Sequence, residues 1–132
     1  MSRTIQVGTH SVTREASGLL FVRYVGDCAA HEMVAILDAI EVLGQKDILA
    51  LNDLTALGDV SPAARKIVAQ DRRSGLFRAI GVFGGGFTVR ILVNMSVTAA
   101  RTLGVGITAP IVFFETEAKA RAWLDEQKAR TA

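Results

Sequence analysis

The chain has 132 residues, half of them hydrophobic and 21% charged, with a mean hydropathy of +0.33 and a net charge of +2. That size and apolar content fit one compact domain spanning 1–132 and exclude a disordered tail or linker. Fifteen Lys and Arg against thirteen Asp and Glu give too weak a field to hold a phosphate backbone, even with a pI near 9.0, so nucleic acid is not an expected partner.

A single cysteine, Cys28, forms no internal disulfide, and the opening Met-Ser-Arg-Thr lacks the basic region, apolar run and cleavage site of a secretory leader. A cytoplasmic location is the expectation. The most apolar stretch, Ala79 to Phe114, is broken by Arg90 and Arg101 and by several glycines and Pro110, so it reads as buried soluble core and not as a membrane span.

In chain order, Ile5, Val7 and Val12 lie in a first strand, Glu15-Ala16-Ser17-Gly18 is a turn, and Leu19 to Val25 is a buried second strand that ends at Gly26-Asp27. From Ala29 the spacing changes to threes and fours. Met33, Ile36, Leu37, Ile40 and Leu43 then fall on one helix face, and Gly44 is placed to cap its end.

Ile48-Leu49-Ala50-Leu51 reads as a short buried strand, followed by a loop from Asn52 to Val60. Ser61-Pro62 starts a helix, because the serine hydroxyl accepts from a free backbone N–H and proline at the first helical position loses no hydrogen bond. This helix is expected to run to about Ser74, with Ala64, Ile67 and Val68 inward, and to stop at Gly75.

Leu76 to Phe83 is the next strand, Gly84-Gly85-Gly86 a turn, Phe87 to Leu103 a long helix, Ile107 to Phe114 a strand, and Thr116 to about Ala129 a last helix with Ala118, Ala122 and Trp123 inward. The expected order is β-β-α-β-α-β-α-β-α. Strands alternating with helices make parallel neighbours under helical cover, so the fold class is α/β, a small mixed sheet with helices.

Three pieces of sequence carry a family resemblance across roughly Leu19 to Leu124: the strand ending in Asn52-Asp53-Leu54-Thr55, the strand-loop-helix unit Ile80 to Ala100, and the closing run Phe113 to Leu124 with Ala120-Arg121-Ala122-Trp123-Leu124. The chain resembles the SpoIIAA-like branch of the STAS superfamily. That resemblance implies a SpoIIAA-like fold and a regulatory, protein-binding role like that of the anti-sigma-factor antagonists.

Those antagonists carry Asp-Leu-Ser, a spacer, then Asp-Ser-Ser-Gly with a phosphorylatable serine at a helix start. Here Asp53-Leu54-Thr55 is followed by a shorter spacer and Asp59-Val60-Ser61-Pro62, which keeps only part of the motif. The resemblance makes Ser61 the candidate phosphoacceptor, where a phosphate would meet free N–H groups at the positive end of a helix dipole. Arg65, Lys66, Arg72 and Arg73 are expected to share one side of the same helix. With Asp59, the arginines Arg65, Arg72 and Arg73 form a candidate partner-binding surface, the alternative being a solvated charged face.

Two histidines, His10 and His31, and one cysteine are too few for a closed zinc site, and His31-Glu32-Met33-Val34-Ala35 lacks the second histidine of a metalloprotease helix. Neither metal nor cofactor is expected. Cys28 at a helix start is a reactive thiol or a small core hydrophobe. Gly84-Gly85-Gly86 is a phosphate cradle or a plain strand-to-helix turn, without the spacing of a nucleotide-binding loop. Asp71 falls near the buried side of its helix and needs a partner there. With no base and nucleophile close together, the reading is non-enzymatic.

The Phe87–Leu103 helix is apolar around most of its circumference, with Arg90, Asn94, Thr98 and Arg101 as its polar stripe. Such a helix is covered on more than one side. Phe87, Ile91, Leu92 and Met95 therefore mark a candidate surface for a homodimer or other protein contact, for packing within the chain, or for an apolar ligand of the kind bound by the CRAL-TRIO domains that this fold branch resembles.

Overall fold

The computed structural model describes residues 2–86, 90 and 109–130. Six strands make one sheet whose spatial order follows chain order: β1 (Arg3–Val7), β2 (His10–Arg14), β3 (Leu20–Cys28), β4 (Ile48–Val60), β5 (Phe77–Phe83) and β6 (Ile111–Phe114). Helices α1 (Ala30–Gly44), α2 (Pro62–Gln70) and α3 (Glu117–Ala129) pack against it. The fold is α/β.

β1, β2 and β3 form an antiparallel meander, while β3, β4, β5 and β6 run parallel. The first segment is thus two strands where the sequence reading has one. The chain reverses within it at Gly8-Thr9, and Gly8 takes φ +58°, a conformation only glycine adopts freely. An alternating polar and apolar run looks continuous through a turn this short, because the turn breaks the backbone without breaking the pattern.

Because β3, β4 and β5 step across the sheet in one direction and such crossovers are right-handed, the β3–β4 and β4–β5 connections fall on one face. α1 and α2 lie there, packed on each other and on Leu20, Val22, Ile48, Ala50, Ile80 and Val82. α1 buries Met33, Ile36, Leu37, Ile40 and Leu43, as its periodicity predicts, and Ala39 with them. Phe21, Leu51, Ala79 and Phe83 point to the opposite face, where Ala120 and Leu124 of α3 cover them. Adjacent residues of β3, β4 and β5 thus serve different cores, which explains their nearly unbroken apolar runs.

The inward face of α3 is Ala120 and Leu124, with Trp123 half-buried against the Phe114 ring at 5.7 Å; Ala118 and Ala122 are exposed. Both alanine pairings have helical spacing. The sheet selects the one that seats Leu124 over Gly81. Arg121, on the flank of this helix, holds the β2–β3 turn through two bonds to Glu15 at 2.8 Å each and also reaches Glu117 at 2.8 Å.

β3 runs on to Cys28, past its expected end at Gly26-Asp27, and β6 starts at Ile111, after the expected Ile107; two further boundaries differ more. β4 continues through Asn52–Val60, the expected loop, because β3 supplies it with backbone partners as far as Cys28 opposite Val60. α2 stops at Gln70, and a short 3-10 helix, Arg72–Leu76, contains the expected stop Gly75. The break comes at Asp71, whose extended backbone (φ −73°, ψ 132°) is fixed by its own carboxylate accepting from the Arg73 N–H at 2.8 Å. An Asp side chain that satisfies a backbone donor two residues on competes with helix continuation.

The expected Phe87–Leu103 helix lies outside the described residues except for Arg90. The Arg90 guanidinium lies 5.8 Å from the Phe113 ring centroid, and its Nη2 donates to the Phe114 carbonyl at 3.3 Å. No helix of the described residues is long and apolar enough to cross a membrane.

Candidate functional site

β4 is longer than its neighbour. β5 pairs with it only as far as Asp53 opposite Phe83, while β3 stays with it to Val60. Gly84 lies against the Thr55 backbone, and among the described residues no strand pairs with the β5 side of β4 beyond Asp53, so the ends of β3 and β4 form a two-stranded ribbon. Thr55, Ala56, Gly58 and Asp59 are exposed on it, and it leads directly into Ser61.

Asp53 starts the ribbon. Its Oδ1 accepts from the Thr55 N–H at 2.9 Å and its Oδ2 from Arg23 Nε at 3.2 Å. The Asp53-Leu54-Thr55 element is therefore a local backbone clamp tied across to β3. Farther along, Asp27 Oδ1 accepts from the Asp59 N–H at 2.8 Å. Gly58 makes this possible, since a Cβ there would fall 2.3 Å from Asp27 Oδ1 and 3.0 Å from the Gly26 carbonyl carbon.

Ser61 is the N-cap of α2. Its Oγ accepts from the Ala64 N–H at 3.0 Å, its own N–H donates to the Cys28 carbonyl at 3.1 Å, and Pro62 follows with no donor to satisfy. The candidate phosphoacceptor thus sits where the ribbon meets the helix, with the exposed Asp59 two residues before it.

The expected basic face of α2 is not one face. Arg65 and Lys66 are on α2, but Arg72 and Arg73 lie beyond its end in the 3-10 helix and turn toward α1. Arg72 Nη1 meets Glu41 at 3.3 Å, with its side chain 78% exposed. Arg73 is only 11% exposed, bonded to Asp71 at 2.9 Å and to Asp38. The Arg73 guanidinium holds the Asp71 carboxyl well below the usual carboxylate range, at about 2, against the opposing effect of burial. This is the partner that the position of Asp71 requires.

Cys28 is 1% exposed and belongs to the core. Burial, reinforced by the nearby Glu32 carboxylate, pushes its thiol up to about 11, away from thiolate chemistry. Of the two sequence readings, the core hydrophobe fits this environment. The Gly84-Gly85 backbone turns with φ of +76° and +71° as the chain leaves β5.

The sequence reading weighs His10 only as a metal ligand and misses its actual place. It is fully buried, and its Nδ1 accepts from the Val25 N–H at 3.0 Å, which puts the ring proton on Nε2, 3.0 Å from the Asp27 carbonyl and 3.5 Å from Glu32. One imidazole therefore spans the irregular end of β3, where the register with β4 shifts, and Glu32 in turn accepts from the Ala29 N–H at the start of α1. The available signal is parity: His10 shares the inward face of its strand with Val12. Among the described residues no three His, Cys, Asp or Glu side chains converge as metal ligands.

The expected dimer or apolar-ligand surface, Phe87, Ile91, Leu92 and Met95, lies outside the described residues.

No family model and no curated protein matches this sequence. Among solved structures, the chain is similar to an uncharacterized protein of the DUF3478 family from Shewanella loihica PV-4 with a SpoIIAA-like fold, at a TM-score of 0.58 and 19% identity, over 94% of this chain and 92% of the other. The fold is SpoIIAA-like, as the sequence resemblance implies.

Proposed function

We propose that this chain is a non-catalytic regulatory module whose protein partner engages the β3–β4 ribbon and the start of α2. The observation that carries this reading is the overhang of β4: exposed strand residues Thr55, Ala56, Gly58 and Asp59, with the β5-side edge beyond Thr55 unpaired among the described residues, leading to a capped helix. An open strand edge is a template for a partner's backbone, and the side chains beside it set the choice of partner.

Asp59 and Arg65 supply the charges of this surface, while Arg72, paired with Glu41, and Arg73, committed to Asp71 and Asp38, lie beyond the far end of α2. Ser61 is its regulatory position. A phosphoryl group on the Ser61 Oγ would add roughly −1.5 to −2 charges at the positive end of α2 and next to Asp59, reversing the local balance that a partner meets.

The test is site-specific photocrosslinking in the producing cell, with the photoreactive residue at Ala56 or Asp59 and, as control, at the exposed Ala118 on α3. One discrete adduct from positions 56 and 59, absent at 118 and altered by Ser61→Asp or Arg65→Glu, is the expected result. Equal adducts from all positions, or none from 56 and 59, would refute the assignment.

A further inference from the structure

The far end of the sheet carries a second feature, unconnected with the ribbon. Arg3 of β1 and Arg14 of β2 are direct cross-strand partners. Residues paired in this way project from the same face with Cβ atoms about 5 Å apart, and like charges there are destabilising. The face is that of α1, since Ile5, Val7 and Val12, at the same parity, pack into its core.

Both arginines are exposed, and neither guanidinium bonds to any group among the described residues. Several other arginines on this sheet and its helices are engaged: Arg23 with Asp53, Arg72 with Glu41, Arg73 with Asp71, Arg121 with Glu15, and Arg78 with the Gln127 carbonyl. Together with Val42, Leu43, Gly44 and Gln45 at the end of α1, Arg3 and Arg14 line a cleft of about 280 Å³. The helix end accounts for part of this charge. α1 has no basic residue in its last turn, and its terminal carbonyls amount to about half a negative charge. Two full positive charges leave a surplus.

We propose that this cleft binds a phosphoryl dianion. Two guanidinium forks match the charge and the planar arrays of oxygens of such a group, each able to donate two parallel hydrogen bonds. The Gln45 side-chain amide at the mouth adds a further donor. A dianion would also remove the Arg3–Arg14 repulsion that the empty pairing carries, so binding and sheet stability are linked.

The experiment is a titration of the full chain with inorganic phosphate near neutral pH at constant ionic strength, set by chloride, and followed by backbone amide NMR and by thermal unfolding. The expected result is saturable movement of the Arg3, Arg14, Gly44 and Gln45 signals, a rise in Tm with phosphate, and at least tenfold weaker binding in Arg14→Gln and in Arg3→Gln. Both variants should unfold no earlier than the parent without phosphate, which separates lost binding from lost folding. A parallel titration with glycerol 3-phosphate identifies the source: tighter binding than phosphate marks a phosphomonoester on a larger carrier, and equal or weaker binding marks the free ion. No saturable response to either compound, or undiminished binding in both variants, overturns the proposal.

Discussion

Replacing His10 tests whether its hydrogen bonds, and not its volume, hold the end of β3. His10→Phe keeps a planar ring of similar size but strips the Val25 N–H of its acceptor and the Asp27 carbonyl of its donor. An unsatisfied buried backbone group costs about 1–3 kcal/mol, and the Asp27 end is closer to solvent, so His10→Phe is expected to lose about 2–4 kcal/mol. His10→Ala adds a cavity beside Tyr24, whose ring lies 5.7 Å away, and is expected to lose about 3–5 kcal/mol. In urea, with a slope of about 1.5 kcal/mol per molar, a loss of about 3 kcal/mol moves the midpoint by about 2 M. Amide exchange at Val25 should accelerate in both variants. A His10→Phe variant within about 0.5 kcal/mol of the parent, with Val25 still protected, would refute the reasoning and reduce His10 to a space-filling residue.

Acid stability follows from Asp71. Its folded pKa of about 2 lies below its ordinary value of 3.8, so the stability it contributes, of order 2 kcal/mol, is complete above about pH 4 and lost as pH falls toward 2. Asp71→Asn should flatten the stability profile in that window, and an unchanged slope would show that the Arg73 pairing does not matter in solution. Cys28 should react with iodoacetamide at mildly alkaline pH only as fast as the chain opens, with the rate rising steeply with denaturant. Rapid alkylation of the native protein would contradict its burial.

Much of the architecture is legible because local patterns and tertiary packing agree. The spacing of Met33 to Leu43 needs one buried face, and the sheet provides it. Ser61-Pro62 carries its own start signal in the hydroxyl and the missing N–H, and Thr116 does the same for α3 by accepting from the Lys119 N–H at 3.2 Å. Where local patterns admit two answers, the sequence reading fails. Asn52–Val60 has the polarity of a loop, and only the partner strand makes it β-structure.

The candidate site divides in the same way. Capping chemistry marks Ser61 as a helix start, while its proposed role and that of Asp59 rest on the family resemblance. His10 is not found in advance, because its importance lies in backbone groups of β3 fifteen and seventeen residues away. Arg72 and Arg73 belong to α2 by periodicity alone, yet Asp71 ends the helix before them and delivers them to carboxylates on α1.

The sequence by itself determined the α/β class, the position of α1 and the helix starts, since these rest on the apolar period and on side chains that satisfy nearby backbone groups. Tertiary structure alone decided the length of β4, the inward face of α3, the place of His10 and the meeting of Arg3 with Arg14. Each of these is a pairing between distant segments, and its energy depends on which surface or unpaired backbone group the folded chain brings opposite.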